Sequence, residues 1–256
     1  MLRATIAFLI ISMVIVVICS ILLLIGLVHP SHRCYAFLAR LWGHGVLIGA
    51  GAKLTIEGGE HIADGTPSFL VGNHQSALDI AVLFCATRGH ARFMAKKSLF
   101  RIPLFGWVLS QYGHAPIDRS STRTTAASLK HMLDRLRRRP ATFAVFPEGT
   151  RSEDGKLLPF RQGAMRICQR AGMPIVPFAI HGSIDVHKRG VNRVCPGPVK
   201  LVLTKPISAD EAGRVSPKEL CDRVFGEVAR CLVRAGGDPG EQPEQSATTE
   251  ENQTDD

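Results

Sequence analysis

Seven short runs dominated by apolar and β-branched residues recur along the middle of this chain, separated by longer segments whose apolar residues fall at helical spacing. Lys53–Glu57, Ser68–Val71, Arg92–Ala95, His114–Ile117, Thr142–Phe146, Ile175–Ile180 and Val199–Leu203 read as strands. Ala77–Thr87, Thr122–Arg139, Gly163–Ala171 and Pro217–Val233 read as helices, with Pro140 stopping the second of them. This alternation predicts an α/β fold, a mixed sheet flanked by helices. In such a fold ligand chemistry gathers along one edge, beyond the strand ends.

Ahead of this pattern, Ala4–Val28 is a 25-residue run without a charge. As a helix it would be about 37 Å long, enough for a tilted bilayer crossing. It is too long for the apolar region of a secretory signal, and it ends at His29-Pro30 rather than at a small-residue cleavage site. Ser31–Ala50 mixes Arg33 and Arg40 with Tyr35, Phe37, Leu38, Leu41, Trp42, Val46 and Leu47, an amphipathic pattern suited to a bilayer surface. The expectation is therefore an N-terminal membrane helix pair over 1–50, a folded domain over 51–234 and a tail over 235–256. Arg33, Arg40 and Lys53 outweigh Arg3 and the terminal amine, which puts the folded domain at a cell membrane, on its cytoplasmic side.

The tail carries seven of the 22 acids and no Lys or Arg, and it lacks the apolar residues needed to fold. The remaining 15 acids face all 31 Lys and Arg, a net of +16 over the rest of the chain. Anionic lipid head groups and phosphorylated or CoA-type substrates fit such a body. Nucleic acid fits poorly: there is no zinc-finger spacing, and Phe, Trp and Tyr make up only 6% of residues. The seven cysteines are scattered without a Cys-x-x-Cys, which argues against a disulfide framework or zinc site and for a reducing compartment. The ten histidines include no His-Glu-x-x-His, and no metal is expected.

Two of the apolar runs end in polar stretches that carry chemistry. Phe69-Leu-Val71 stops at Gly72 and leads through Asn73-His-Gln-Ser-Ala-Leu-Asp79 into Ile80–Phe84, so His74 falls at a strand-to-helix turn. Asp79 follows five residues later, within reach of one imidazole nitrogen if the turn folds under the helix. A histidine oriented in this way can take a proton from a hydroxyl with its other nitrogen. Thr142–Phe146 likewise ends at Pro147-Glu-Gly-Thr-Arg-Ser152, a loop that offers amides, a carboxylate and a guanidinium to an anionic ligand.

With Gly113-His-Ala-Pro-Ile-Asp-Arg119 between them and Ile175-Val-Pro-Phe-Ala-Ile180 after them, these stretches resemble, in order, the four blocks of the glycerolipid acyltransferase family. Its best-known members acylate 1-acylglycerol 3-phosphate, or lysophosphatidic acid. The resemblance covers roughly residues 50–210 and makes 51–234 an acyltransferase domain. It implies transfer from acyl-CoA or acyl carrier protein, as co-substrate and without a cofactor, to the free hydroxyl of the acceptor, giving phosphatidic acid. His74 would be the general base and Asp79 its orienter. The arginine of the third block, Arg151, and the lysine position of Lys96 would hold phosphate, while Glu148 and Gly149 shape the glycerol site beside Thr150.

A phosphate-bearing acceptor needs cations, and Arg151, Lys96 and Arg119 are the candidates in that order; a structural ion pair with Asp118 is the rival role of Arg119. Family members often carry Lys where Arg161 stands, which leaves head-group preference open, and a lyso-aminolipid is the alternative acceptor. Direct attack by the alcohol is favoured over an acyl-serine at Ser76, because no Gly-x-Ser-x-Gly is present. A membrane-tethered basic binding protein is the non-enzymatic alternative. The run Lys96–Trp107 reads either as a helix broken at Pro103 or as an apolar wall facing a membrane or an acyl chain.

Overall fold

The computed structural model describes residues 32–240 apart from 63–65, 118–129, 131, 135, 137–140 and 192. Its strands are β1 (Ala52–Glu57), β2 (Phe69–Gly72), β3 (Arg92–Lys96), β4 (Ala115–Ile117), β5 (Phe143–Val145), β6 (Ile175–His181) and β7 (Gly197–Leu203). They form one sheet in the order β1-β7-β6-β2-β5-β3-β4. Neighbours run parallel except β6 and β7. The chain therefore leaves β2, β3, β4, β5 and β6 along one edge, and the turns that follow these strands are brought together there.

Side-chain alternation divides the sheet into two buried faces. Phe69 and Val71 join Phe143, Val145 and Ile175 on one face, beneath α4 (Gln162–Ala171) and α7 (Pro217–Ala235). Leu70 joins Ala144, Val176, Phe178 and Ile180 on the other, beneath α1 (His32–Gly49) and α2 (Leu78–Ala86). α7 buries Leu220, Cys221, Val224, Phe225, Val228, Cys231 and Leu232, one continuous stripe at helical spacing. It begins at Ser216, whose hydroxyl accepts the Glu219 N–H, with Pro217 in the first turn, and it ends at left-handed Gly236.

The expected N-terminal membrane helix pair requires correction. The segment 1–31, with the uncharged run 4–28, lies outside the described residues, and the helix expected beside it is α1, a layer of the folded domain. α1 turns its small residues inward: Ala36 and Ala39 are buried, and a Cβ at Gly43 would lie 2.9 Å from the Ala81 carbonyl oxygen of α2. Phe37, Leu41 and Ile48 point outward. Among the described residues no helix is long and apolar enough to cross a membrane. At the other end, the Leu157 N–H donates to the Pro239 carbonyl at 3.2 Å, which holds the first residues beyond α7 against the domain. The Lys96–Trp107 run divides into a 3-10 turn, Lys97–Arg101, and α3 (Phe105–Tyr112).

Gly72 ends β2 where β6 passes closest, and a Cβ there would overlap the carbonyl oxygen and ring of Phe178. Gly72→Ala is expected to destabilise the protein by about 1–3 kcal/mol, the usual range for overfilling a packed interior. An unchanged midpoint in urea denaturation would contradict this close fit.

Candidate active site

Beyond Gly72 the Asn73 side chain prolongs the ladder between β2 and β6. Its Nδ2 donates to the Ile180 carbonyl at 2.9 Å, and its Oδ1 accepts the Ile180 N–H at 2.8 Å. Both bonds are buried, so the direction in which the chain leaves the sheet is well defined. The next residues pass under the start of α2, where Asp79 sits fully buried in the first helical turn. One carboxylate oxygen, Oδ2, accepts the N–H groups of Gln75 at 2.7 Å and Ser76 at 2.9 Å as well as His74 Nδ1–H at 2.7 Å. The other, Oδ1, accepts the Ser183 hydroxyl at 2.6 Å. Four donors and the positive end of α2 thus compensate a charged group removed from water.

His74 is restrained on every side but one. Its ring stacks on Phe146 with centroids 4.0 Å apart. Its backbone N–H donates to Glu148 Oε2 at 3.1 Å, and its carbonyl accepts the Ser152 N–H at 2.8 Å. The loop after β2 is thereby fastened to the loop after β5. With Nδ1 committed to Asp79, Nε2 has no hydrogen-bond partner among the described residues, on a side chain that is 19% exposed. An imidazole held in this tautomer presents its lone pair outward, toward whatever hydroxyl is bound at the sheet edge.

The loop after β5 turns sharply through Gly149, at φ +73°, whose N–H donates to the Phe146 carbonyl at 3.1 Å. The turn sends Glu148 inward, where it also accepts the Leu158 N–H at 3.3 Å. Burial pushes the Glu148 carboxyl up to about 8; the His74 and Leu158 amides act the other way, and the nearby Asp79 charge adds to the rise. Thr150 and Arg151 remain at the rim. Two further cations flank them: Arg161, whose sequence position bears on head-group preference, and Arg189, which the sequence did not single out. A Cβ at Gly149 would lie 2.9 Å from Arg161 Nε, and Arg189 Nη1 donates to the Thr150 hydroxyl at 3.4 Å. Among the described residues none of Arg151, Arg161 and Arg189 is ion-paired, which favours an anionic ligand at this loop.

Lys96 stands exposed at the end of β3, on the same edge and two strands from β2. Arg119 lies outside the described residues. Ser76 is fully buried and donates its hydroxyl to the His187 carbonyl at 2.7 Å, so it is not presented as a nucleophile. Among the described residues no group of His, Cys, Asp and Glu side chains is arranged to hold a metal ion. Ser183 escaped the sequence reading altogether. Its signal was the apolar run of β6 ending in His181-Gly-Ser183, the same strand-to-glycine transition that marked Gly72.

The model of the Acyltransferase family matches residues 53–181, which is half of the chain and runs from β1 to the end of β6. The chain belongs to the Acyltransferase family. The chloroplastic 1-acyl-sn-glycerol-3-phosphate acyltransferase BAT2 of Brassica napus is 33% identical over 202 residues, covering 78% of this chain and 56% of that protein. The chloroplastic 1-acyl-sn-glycerol-3-phosphate acyltransferase LPAT1 of Arabidopsis thaliana is 31% identical over 83% of this chain and 60% of its own length. The chain thus spans somewhat more than half of these two relatives. The crystal structure of the 1-acyl-sn-glycerophosphate (LPA) acyltransferase PlsC from Thermotoga maritima superposes with a TM-score of 0.77 at 25% identity, over 90% of this chain and 94% of that one. All of the acyltransferase-family match precedes Ser183 and Arg189.

In this acyltransferase-family site Glu148 makes stability depend on pH. Its folded-state value, about 8, lies above the ordinary 4.5, so the native protein holds a proton between these values that the unfolded chain has lost. This contribution is fully present below about 4.5 and is lost as pH rises through about 8, by on the order of 5 kcal/mol. Glu148→Gln, which cannot titrate, should gain stability relative to the parent across that window in urea denaturation. A constant difference would contradict the burial argument.

Proposed function

We propose that this chain transfers an acyl group from an acyl thioester, acyl-CoA or acyl carrier protein, to the free hydroxyl of 1-acylglycerol 3-phosphate, giving phosphatidic acid. The reading rests chiefly on the His74–Asp79 contact, which leaves Nε2 open at the sheet edge beside the loop that carries Arg151. It is supported by the activities named for the Brassica, Arabidopsis and Thermotoga proteins.

In this mechanism Nε2 removes the acceptor's hydroxyl proton as its oxygen attacks the thioester carbonyl. Collapse of the tetrahedral intermediate breaks the carbon–sulfur bond, and the imidazolium returns the proton to the departing thiolate. Asp79 holds the ring and compensates its transient positive charge. Arg151, with Lys96 and Arg119, binds the acceptor phosphate, and Glu148, Gly149 and Thr150 shape the pocket for its glycerol. The binding energy of the head group serves to place the hydroxyl against Nε2.

The test is thiol release from acyl-CoA by purified protein with phosphate-bearing and phosphate-free lysolipids. His74→Ala is expected to lower activity by at least about a hundredfold while the fold is retained. Arg151→Ala should impair the phosphate-bearing acceptor far more than the phosphate-free one. Full activity of His74→Ala would remove the histidine from the mechanism, and equal losses for both acceptors would remove the phosphate role of Arg151.

A further inference from the structure

We infer that Ser183 is a positioning residue for acyl transfer, acting through Asp79 on His74, and that the turn after β6 is therefore a working part of the site. This rests on the proposed function. Ser183 lies two residues past the family match, at the start of α5 (Ser183–Val186), and its side chain is fully buried.

The distribution of donors on Asp79 carries the argument. Gln75 N–H, Ser76 N–H and His74 Nδ1–H all converge on Oδ2, whereas among the described residues Oδ1 has the Ser183 hydroxyl alone, at 2.6 Å. Three donors on one oxygen do not by themselves fix the rotation of a carboxylate about its Cβ–Cγ bond, because a partial rotation lets its two oxygens share them. The Ser183 bond opposes that rotation by holding Oδ1 on the far side. Without it a buried carboxylate oxygen would be unsatisfied, and the carboxylate would turn toward the donors that remain. The one donor on Oδ2 carried by a side chain, and so able to turn within its stacking plane on Phe146, is the His74 ring, since the other two are backbone groups. Loss of Ser183 should therefore appear as loss of imidazole orientation.

The local backbone is built to deliver this hydroxyl. Gly182 takes φ +84°, and a Cβ there would overlap the Pro198 carbonyl oxygen, so the turn out of β6 requires glycine. The Ser76 hydroxyl donates to the His187 carbonyl at 2.7 Å, which ties the far end of α5 to the same loop after β2. Two bonds, joining residues 104 and 111 positions apart in sequence, thus clamp the segment 183–187 beneath the His74–Asp79 pair. Ser183 donates into the pair from behind and touches no substrate in this arrangement.

The test is a kinetic cycle with Ser183→Ala, Asp79→Asn and the double variant, using the full chain, 1-acylglycerol 3-phosphate and acyl-CoA, with thermal unfolding measured in parallel. Ser183→Ala should lower kcat about tenfold or more, a fraction of what the base itself supplies, with KM for both substrates nearly unchanged. On the Asp79→Asn background the same change should cost almost nothing further, because the carboxylate it serves is gone. Losses that multiply in the double variant would overturn the inference. So would a Ser183→Ala protein that keeps its kcat, or one in which kcat falls only in proportion to lost folded protein. A parent protein without activity on this acceptor would instead refute the proposed function.

Discussion

A carboxylate with no exposure to water, surrounded by donors from two separate stretches of chain, is the interaction on which this site depends. Asp79 can be buried only because the loop after β2 turns its amides inward, His74 lends Nδ1–H, and the turn after β6 supplies a hydroxyl. Removing any one donor leaves a buried acceptor short of a partner, so the arrangement of the two stretches is cooperative. The same bonds that satisfy the carboxylate dictate the tautomer of His74, and folding energetics and imidazole orientation are here one set of contacts.

The sheet makes this possible by delivering loops from different parts of the sequence to one edge. β2 and β5 are paired neighbours, so the His74 loop and the Glu148 loop meet through two hydrogen bonds, from the His74 N–H to the Glu148 carboxylate and from the Ser152 N–H to the His74 carbonyl. β6 lies on the other side of β2, joined beyond the last ladder pair by the Asn73 side chain, and brings Ser183. The electrostatics of the rim follow from burial. Glu148 faces inward toward amide donors, while Arg151 and Arg161 from the same loop, and Arg189 from the segment after α5, stay at the rim without an acidic partner among the described residues. Positive charge is left facing outward where an anionic head group would approach.

All seven strands could be read from apolar runs that stop at Gly, Pro or a polar cluster; the central strands β2, β5 and β6 are buried on both faces, while the edge strand β1 shows alternation instead. The His74–Asp79 pair was legible from spacing, since the turn and the first turn of helix fix how far apart the two side chains lie. Strand order was not, nor was the antiparallel entry of β7, because both depend on long-range pairing that leaves no local pattern. The role of α1 was misjudged for a physical reason. Amphipathicity shows that a helix has two faces but not which one meets protein, and here the small residues Ala36, Ala39 and Gly43 allow close approach to α2 while Phe37 and Leu41 face away. The pairing of Ser183 with Asp79 and of Arg189 with Thr150 could not be read, because nothing local ties them to residues more than a hundred, or nearly forty, positions earlier.

The central claim is that Asp79 holds His74 with the proton on Nδ1 and the lone pair on Nε2. Nitrogen-15 NMR of histidine-labelled protein, at a pH where the ring is neutral and with His74 assigned by substitution, reads that tautomer directly. The account predicts a protonated Nδ1 and a bare Nε2 in the parent protein, and loss of that preference in Asp79→Asn, where an amide replaces the obligate acceptor. A neutral His74 carrying its proton on Nε2 in the parent protein would contradict it.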